Sequence, residues 1–240
     1  MTSMPSSSAA GRLRLQGRPV AAALFDLDGT LMDTAHDIAL ALQRALAERG
    51  LPAPDTDAVR TMIGKGAPTL VRRASSALGL GLDDAAQGEV LEGFFRHYGR
   101  LQETGETRAQ PYPGVREGLR ALHASGLPMG VVTNKQHRFA VALLRMRGLD
   151  DLFGVVVGGD SCERRKPDPQ PLQWAASQLG VPDSAALMVG DSVNDVTAAL
   201  AAGMAVVCVP YGYNEGQDVR QLPAHAFVET LAELPRLLGL

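Results

Sequence analysis

The chain is poor in cysteine: Cys162 and Cys208 are its two among 240 residues. Two thiols cannot build a disulfide framework, which excludes a secreted, bridge-stapled scaffold and makes a reducing cytoplasm the expected location. An excess of basic charge is also missing, since 23 lysines and arginines face 26 aspartates and glutamates for a net charge of −3. That balance offers no electrostatic footprint for nucleic acid. Apolar runs stay short of the roughly 18 residues that a membrane-spanning helix requires, so no membrane partner is expected. Histidines His36, His97, His123, His137 and His225 are scattered without zinc-ligand spacing. There is no Gly-x-x-x-x-Gly-Lys-Ser/Thr run to cradle ATP. Ser192 lies in Gly190-Asp191-Ser192-Val193-Asn194, which lacks the closing glycine of a nucleophile elbow.

What remains is ordinary globular composition, with 45% hydrophobic and 20% charged residues. A chain of this size buries about 70% of its unfolded surface, enough for a sizeable core. Residues 1–19 are set apart: they are rich in serine, carry Arg12, Arg14 and Arg18, and have no acidic residue. We expect a disordered amino-terminal extension there, with an organelle transit segment as the alternative.

From Val20 onward the pattern is legible. Val20 to Phe25, Met129 to Val132, Val155 to Val157, Ala186 to Val189 and Ala205 to Val209 have the length of buried strands. Helical faces lie between them, such as Val115, Leu119 and Leu122, or Phe139, Leu143 and Met146. Gly180 and Gly203 stand where helix C-caps are expected. Alternating strands and helices predict an α/β fold, a Rossmann-like parallel sheet covered on both faces. Residues 34–106 break the alternation. Ile38, Leu42 and Leu46, then Val59, Met62 and Ile63, then Leu70, Val71 and Ala74, then Val90, Phe94 and Tyr98 predict four helices in a small bundle. The expected organisation is a core of residues 20–33 and 107–240, interrupted by a helical cap at 34–106.

Chemistry concentrates at strand ends. Asp26-Leu27-Asp28-Gly29-Thr30 follows the first strand, where the functional crevice of an open α/β sheet lies. Extended backbone sends Asp26 and Asp28 to one side, and Gly29 allows a tight turn or a close approach to a ligand. A second acidic group, Asp191 with Asp195, follows the Ala186–Val189 strand. Clustered aspartates repel unless a cation or a shared proton relieves them, and an all-oxygen set suits Mg2+. Thr133 and Asn134 follow the Met129–Val132 strand as candidates for binding anionic oxygens. Lys166, before Pro167-Asp168-Pro169, can hold a phosphate as a point charge. Arg164 and Arg165 beside it read as solvated surface residues.

In this order, Asp26-x-Asp28-Gly29-Thr30, Thr133, Lys166 and Gly190-Asp191 with Asp195 resemble the four motifs of the haloacid dehalogenase superfamily. The resemblance spans Val20 to the carboxyl terminus. Ile63-Gly64-Lys65-Gly66-Ala67, Val132-Thr133-Asn134-Lys135, Gly158-Gly159-Asp160 and Tyr211-Gly212-Tyr213-Asn214 are further similar to the bacterial phosphoglycolate phosphatases within it. The resemblance implies a phosphoric monoester hydrolase with Mg2+ as cofactor and a small phosphorylated metabolite as partner, most simply 2-phosphoglycolate. It implies Asp26 as nucleophile, Asp28 as acid and base, and Asp26, the Asp28 carbonyl and Asp191 as metal ligands. Thr133, Asn134 and Lys166 would stabilise the transferring group with Gly29 in the phosphate loop, and Asp195 would orient Lys166 or the metal shell. Lys65, between two glycines of a helix-connecting turn, is the candidate for the substrate carboxylate. Phosphatases of other sugar phosphates (a muramic-acid-type phosphate among them), a sugar phosphomutase and a silent binding module are the alternatives. Asp28 speaks against a dehalogenase, because a departing halide needs no proton donor. The sequence leaves monomer and homodimer open.

Overall fold

The computed structural model describes residues 13–240. The expectation for residues 1–12 lies outside the described residues. From Leu13 on, the expected disorder does not hold. The chain forms a small hairpin of β1 (Arg14–Leu15) and β2 (Arg18–Pro19). Leu13 and Leu15 are buried in the main core, and the Arg14 amide donates to the Leu238 carbonyl at 3.1 Å. Two leucines at alternating positions give even this short segment one apolar face, and the core covers it.

The remaining elements follow in chain order: β3 (Ala22–Phe25), β4 (Met32–Asp33), α1 (Ala35–Ala47), α2 (Thr56–Arg60), α3 (Ala67–Ala77), α4 (Asp84–Glu103), β5 (Gln110–Pro111) and α5 (Val115–Ala124). Then come β6 (Met129–Val132), α6 (His137–Met146), β7 (Val155–Val157), α7 (Gln170–Gln178), β8 (Ala186–Gly190), α8 (Val193–Ala201), β9 (Ala205–Cys208), β10 (Ala226–Phe227) and α9 (Leu234–Leu237). The principal sheet is parallel throughout, in the order β10-β9-β8-β3-β6-β7. Strand β10 was not expected: two residues carry no periodicity, and pairing with β9 alone makes them a strand.

Strand alternation sorts the core into two layers. Ala23, Phe25, Met129 and Val131 face the side of α5, α6 and α9, among Leu119, Leu143 and Leu234. Leu24, Val132, Met188 and Val206 face α7 and α8, among Leu172, Ala175 and Val196. Fully burying each valine, leucine, methionine or phenylalanine among them contributes about 1.5–3 kcal/mol, so the central strands are anchored from both faces.

Helices α1 to α4 form a separate apolar cluster around Leu42, Leu46, Val71, Val90 and Phe94, which Phe139 and Tyr213 join from the sheet-bearing part. A two-stranded antiparallel ribbon, β4 with β5, carries the chain out to these helices and back. Asp37, at the start of α1, accepts from the Thr107 hydroxyl and from the backbone amides of Arg108 and Ala109. That carboxylate thereby ties the outgoing and returning segments together. Among the described residues no helix is long and apolar enough to cross a membrane.

Candidate active site

β3 lies between β8 and β6, with Phe25 level with Val189 on one side and Val131 on the other. The residues just past these three strands therefore meet at one edge: Asp26 and Asp28 after β3, Asp191 after β8, Thr133 after β6. Lys166 enters from the segment before α7 and is 2% exposed. Its ammonium lies 3.0 Å from Asp26 Oδ1, 2.7 Å from Asp195 Oδ1 and 2.6 Å from the Val132 carbonyl. An ammonium has three donors, and these contacts occupy all of them. Burial opposes the charge on Lys166, but Asp195 and Asp26 outweigh it and hold the pKa above the ordinary lysine value.

The two acidic positions of the second group have different duties. Asp195 is fully buried, and its Oδ2 accepts from the Asp191 and Ser192 amides and the Ser192 hydroxyl, closing a capping box on α8. With Oδ1 on Lys166, its acceptors are committed to protein donors. Asp191 receives the Thr30 hydroxyl at 2.7 Å on Oδ1 and the Tyr213 amide at 2.7 Å on Oδ2. Gly29 (φ +90°) and Gly212 press against the Asp191 side chain, and a Cβ at either position would overlap it. Those glycines are needed because the carboxylate is packed between two backbone segments.

Burial pushes Asp26 up to about 7 against the pull of Lys166, with Asp195 and Asp28 adding to the rise. Burial, then Asp195 and Asp26, push Asp191 up to about 8. Ligand atoms of Asp26, Asp191 and Asp195 lie within 4.8 Å of one another. Asp28 is paired differently: Lys135 Nζ reaches both of its oxygens at 2.8 Å, and the Thr34 hydroxyl donates to Oδ1 at 2.7 Å.

Asp26, Asp28, Thr133 and Asn134 line one cavity of about 210 Å³, walled by Ile63, Leu70 and Phe94 from the helical insert. Two expectations change here. Both amide hydrogens of Asn134 are spent, one on the Gly64 carbonyl at 2.8 Å and one on the Lys166 carbonyl at 2.9 Å. Its side chain is thus a strut between insert and core, not a free donor for anionic oxygens. Gly64 and Gly66 line the cavity but Lys65 does not, because its ammonium turns to Glu215 at 3.1 Å, which Arg73 shares at 2.8 Å. The Lys65 ammonium joins Arg73 on that carboxylate, and Glu215 lies 150 residues along the chain, beyond any local signal.

Residues not singled out from sequence complete the site. Lys135 stood in a quoted motif without a role, and Thr30 closed the Asp-x-Asp-Gly-Thr run; both prove to hold an aspartate. Tyr98 brings a phenol to the cavity from α4, and Arg165, expected at the surface, is exposed but stands at the mouth beside Gly66.

A sequence profile of the haloacid dehalogenase-like hydrolase family matches residues 23–209. The chain belongs to that family. It is 43% identical over 216 residues to the phosphoglycolate phosphatase of Thiobacillus denitrificans, covering 90% of this chain and 94% of that one. It is 44% identical over 223 residues to the phosphoglycolate phosphatase of Nitrosospira multiformis, covering 92% and 96%. A crystal structure from Haemophilus somnus, described as a predicted phosphoglycolate phosphatase, superposes with a TM-score of 0.85 at 33% identity, covering 91% and 97%.

For a haloacid dehalogenase-like hydrolase, a divalent cation is the natural occupant of the acidic cluster. Charge supports the fit: four carboxylates, Asp26, Asp28, Asp191 and Asp195, are met by two ammoniums, Lys135 and Lys166. The excess negative charge sits on Asp26 and Asp191, the two groups whose pKa is pushed up. A hard, oxygen-liganded cation removes that repulsion.

Proposed function

We propose that this protein is a Mg2+-dependent phosphomonoesterase that converts 2-phosphoglycolate to glycolate and phosphate through an aspartyl-phosphate. The observation that carries the reading is Asp26 between Lys166 and Asp191 on a cavity wall, with Asp28 two residues on and separately paired. Relatives named phosphoglycolate phosphatase over nearly their whole length support the substrate. Residues 34–106 act as the cap over a catalytic core of residues 20–33 and 107–240, since both contribute walls to the cavity. Cys162 and Cys208 are free thiols, in keeping with work in a reducing cytoplasm.

In the first step a carboxylate oxygen of Asp26 attacks phosphorus and the bond from phosphorus to the glycolate oxygen breaks. Asp28 supplies the proton that the leaving alkoxide takes. In the second step water attacks phosphorus and gives a proton back to Asp28. The aspartyl–phosphorus bond then breaks, which returns the Asp26 carboxylate and releases phosphate. Lys166 and the Thr133 hydroxyl neutralise charge on the transferring oxygens, where positioning and electrostatics supply most of the rate. Asp195 acts through Lys166, holding its ammonium toward Asp26. Asp26, Asp191 and the Asp28 carbonyl would hold Mg2+, which would supply charge neutralisation for the phosphoryl group.

The test is phosphate release over a panel of phosphomonoesters that includes 2-phosphoglycolate, sugar phosphates and a muramic-acid-type phosphate, with Mg2+ and with chelator. Highest kcat/KM on 2-phosphoglycolate, abolished by chelator, is the expected result. A sugar phosphate at the head of the panel would move the substrate, and activity indifferent to chelator would overturn the mechanism.

A further inference from the structure

A phosphoglycolate has a second charge to be met, and the cation first expected to meet it, Lys65, is engaged elsewhere. Lys166 has no free donor. Among the described residues, the cations that line the cavity are Lys135 and Arg165. Arg165 is exposed, at the mouth. Lys135 is buried to 7% side-chain exposure, and two of its three donors lie on Asp28. The same ammonium sits 4.7 Å from the centroid of the Tyr98 ring. Tyr98 is 2% exposed, lines the cavity, and its hydroxyl has no hydrogen-bond partner. A buried phenol without a partner costs stability unless something outside the protein completes it.

We propose that Lys135 and Tyr98 form the subsite for the substrate's carboxylate. This rests on the reading of the protein as a phosphoglycolate phosphatase. The carboxylate accepts from the remaining Lys135 donor and from the Tyr98 hydroxyl, which pairs both groups. The same pair of residues thus reads the substrate, so a carboxylate on the substrate lowers KM. The cap supplies Tyr98 through α4 and the core supplies Lys135 after β6, so the subsite is complete where the two parts meet.

The experiment compares 2-phosphoglycolate with 2-hydroxyethyl phosphate, a near-isostere without the carboxylate, under saturating Mg2+. Wild type should prefer phosphoglycolate in kcat/KM. In Lys135→Met the preference in kcat/KM should fall about tenfold or more, as expected for loss of a charge-assisted contact. Lys135→Arg should recover part of it. Tyr98→Phe should lower the preference by about threefold or more, with the melting temperature unchanged or raised, because the phenol's unmet hydrogen bond is gone. Should Lys135→Met fail to fold, Tyr98→Phe decides alone. A wild-type preference that survives in Tyr98→Phe and in folded Lys135→Met overturns the subsite. So does a preference that falls in Arg165→Ala while those two retain it. Absence of any wild-type preference overturns the substrate reading and the subsite with it.

Discussion

Two carboxylates separated by one leucine live in different charge environments. Asp26 shares the Lys166 ammonium with Asp195, whereas Asp28 has Lys135 to itself. Asp26→Asn keeps the shape and removes the proposed nucleophile, so phosphate release should fall by at least about a thousandfold. The melting temperature should hold, because a buried, repelled charge is lost as well. A phospho-enzyme trapped on another residue would refute the assignment. The titration of this cluster sets a second expectation. An unfolded aspartate sits near 3.8, while folded Asp26 and Asp191 are raised to about 7 and about 8. Between those limits the folded chain holds more protons than the unfolded one, so their contribution to stability falls as pH rises. A divalent cation takes the place of those protons. Thermal melts should therefore show Mg2+ raising Tm more at about pH 8 than at about pH 6. Equal shifts at both would mean that the cation binds elsewhere.

Elements turn these residues into a site because three strand ends are neighbours in one parallel sheet. The connection after β8 is the tightest of them. Ser192 and Asp195 cap α8, and the same Asp195 holds Lys166, so the helix terminus and the Lys166 ammonium are set by one side chain. On the other flank the loop after β9 lays Gly212 against Asp191 while the Tyr213 amide donates to it. Gly212→Ala forces a methyl into the Asp191 side chain. We expect the Mg2+ concentration for half-maximal activity to rise about tenfold or more, as when a ligand's supports are displaced. Mg2+ titration of phosphate release measures it, and an unchanged midpoint would show that Asp191 does not depend on that packing.

For the whole molecule, the decisive feature is how a helical insert is joined to a sheet. Asp37 accepts from the returning segment, and the Tyr213 hydroxyl accepts from the Thr34 and Ala35 amides while donating to Asp33 at 2.9 Å. Both junctions are thus fastened by side chains, one of which also reaches Asp191 through its amide. Asp37→Ala strands the Thr107 hydroxyl and two buried or half-buried amides, which should cost about 3 kcal/mol of stability. Urea unfolding followed by circular dichroism would read that loss, and a change within error would show that water replaces the carboxylate.

Much of this arrangement could be read from local pattern. The strand at Val20 to Phe25, six apolar residues ahead of Asp26, and the strand at Ala186 to Val189, four ahead of Gly190-Asp191, announce themselves by an apolar run that ends at an acid. Helices α1, α3 and α4 show their buried faces at three- and four-residue spacing. These features are local, because burial of one face imposes a period on the chain itself. What local pattern could not decide was pairing. Residues 14–15 and 18–19, which pair with each other, and 226–227, which pair with β9, are too short to carry a period, and pairing and burial make them strands. Lys65 and Lys135 look equally available in the sequence. Folding sets one beside Glu215 and the other beside Asp28, since an ammonium goes to the anion that tertiary structure brings near it. Asn134 has two donors in any conformation, and only the approach of Gly64 and Lys166 spends them. Sequence alone determined which chemical groups stand at the strand ends; the tertiary structure decided which of them meet, because charge pairing and close packing act across space and not along the chain.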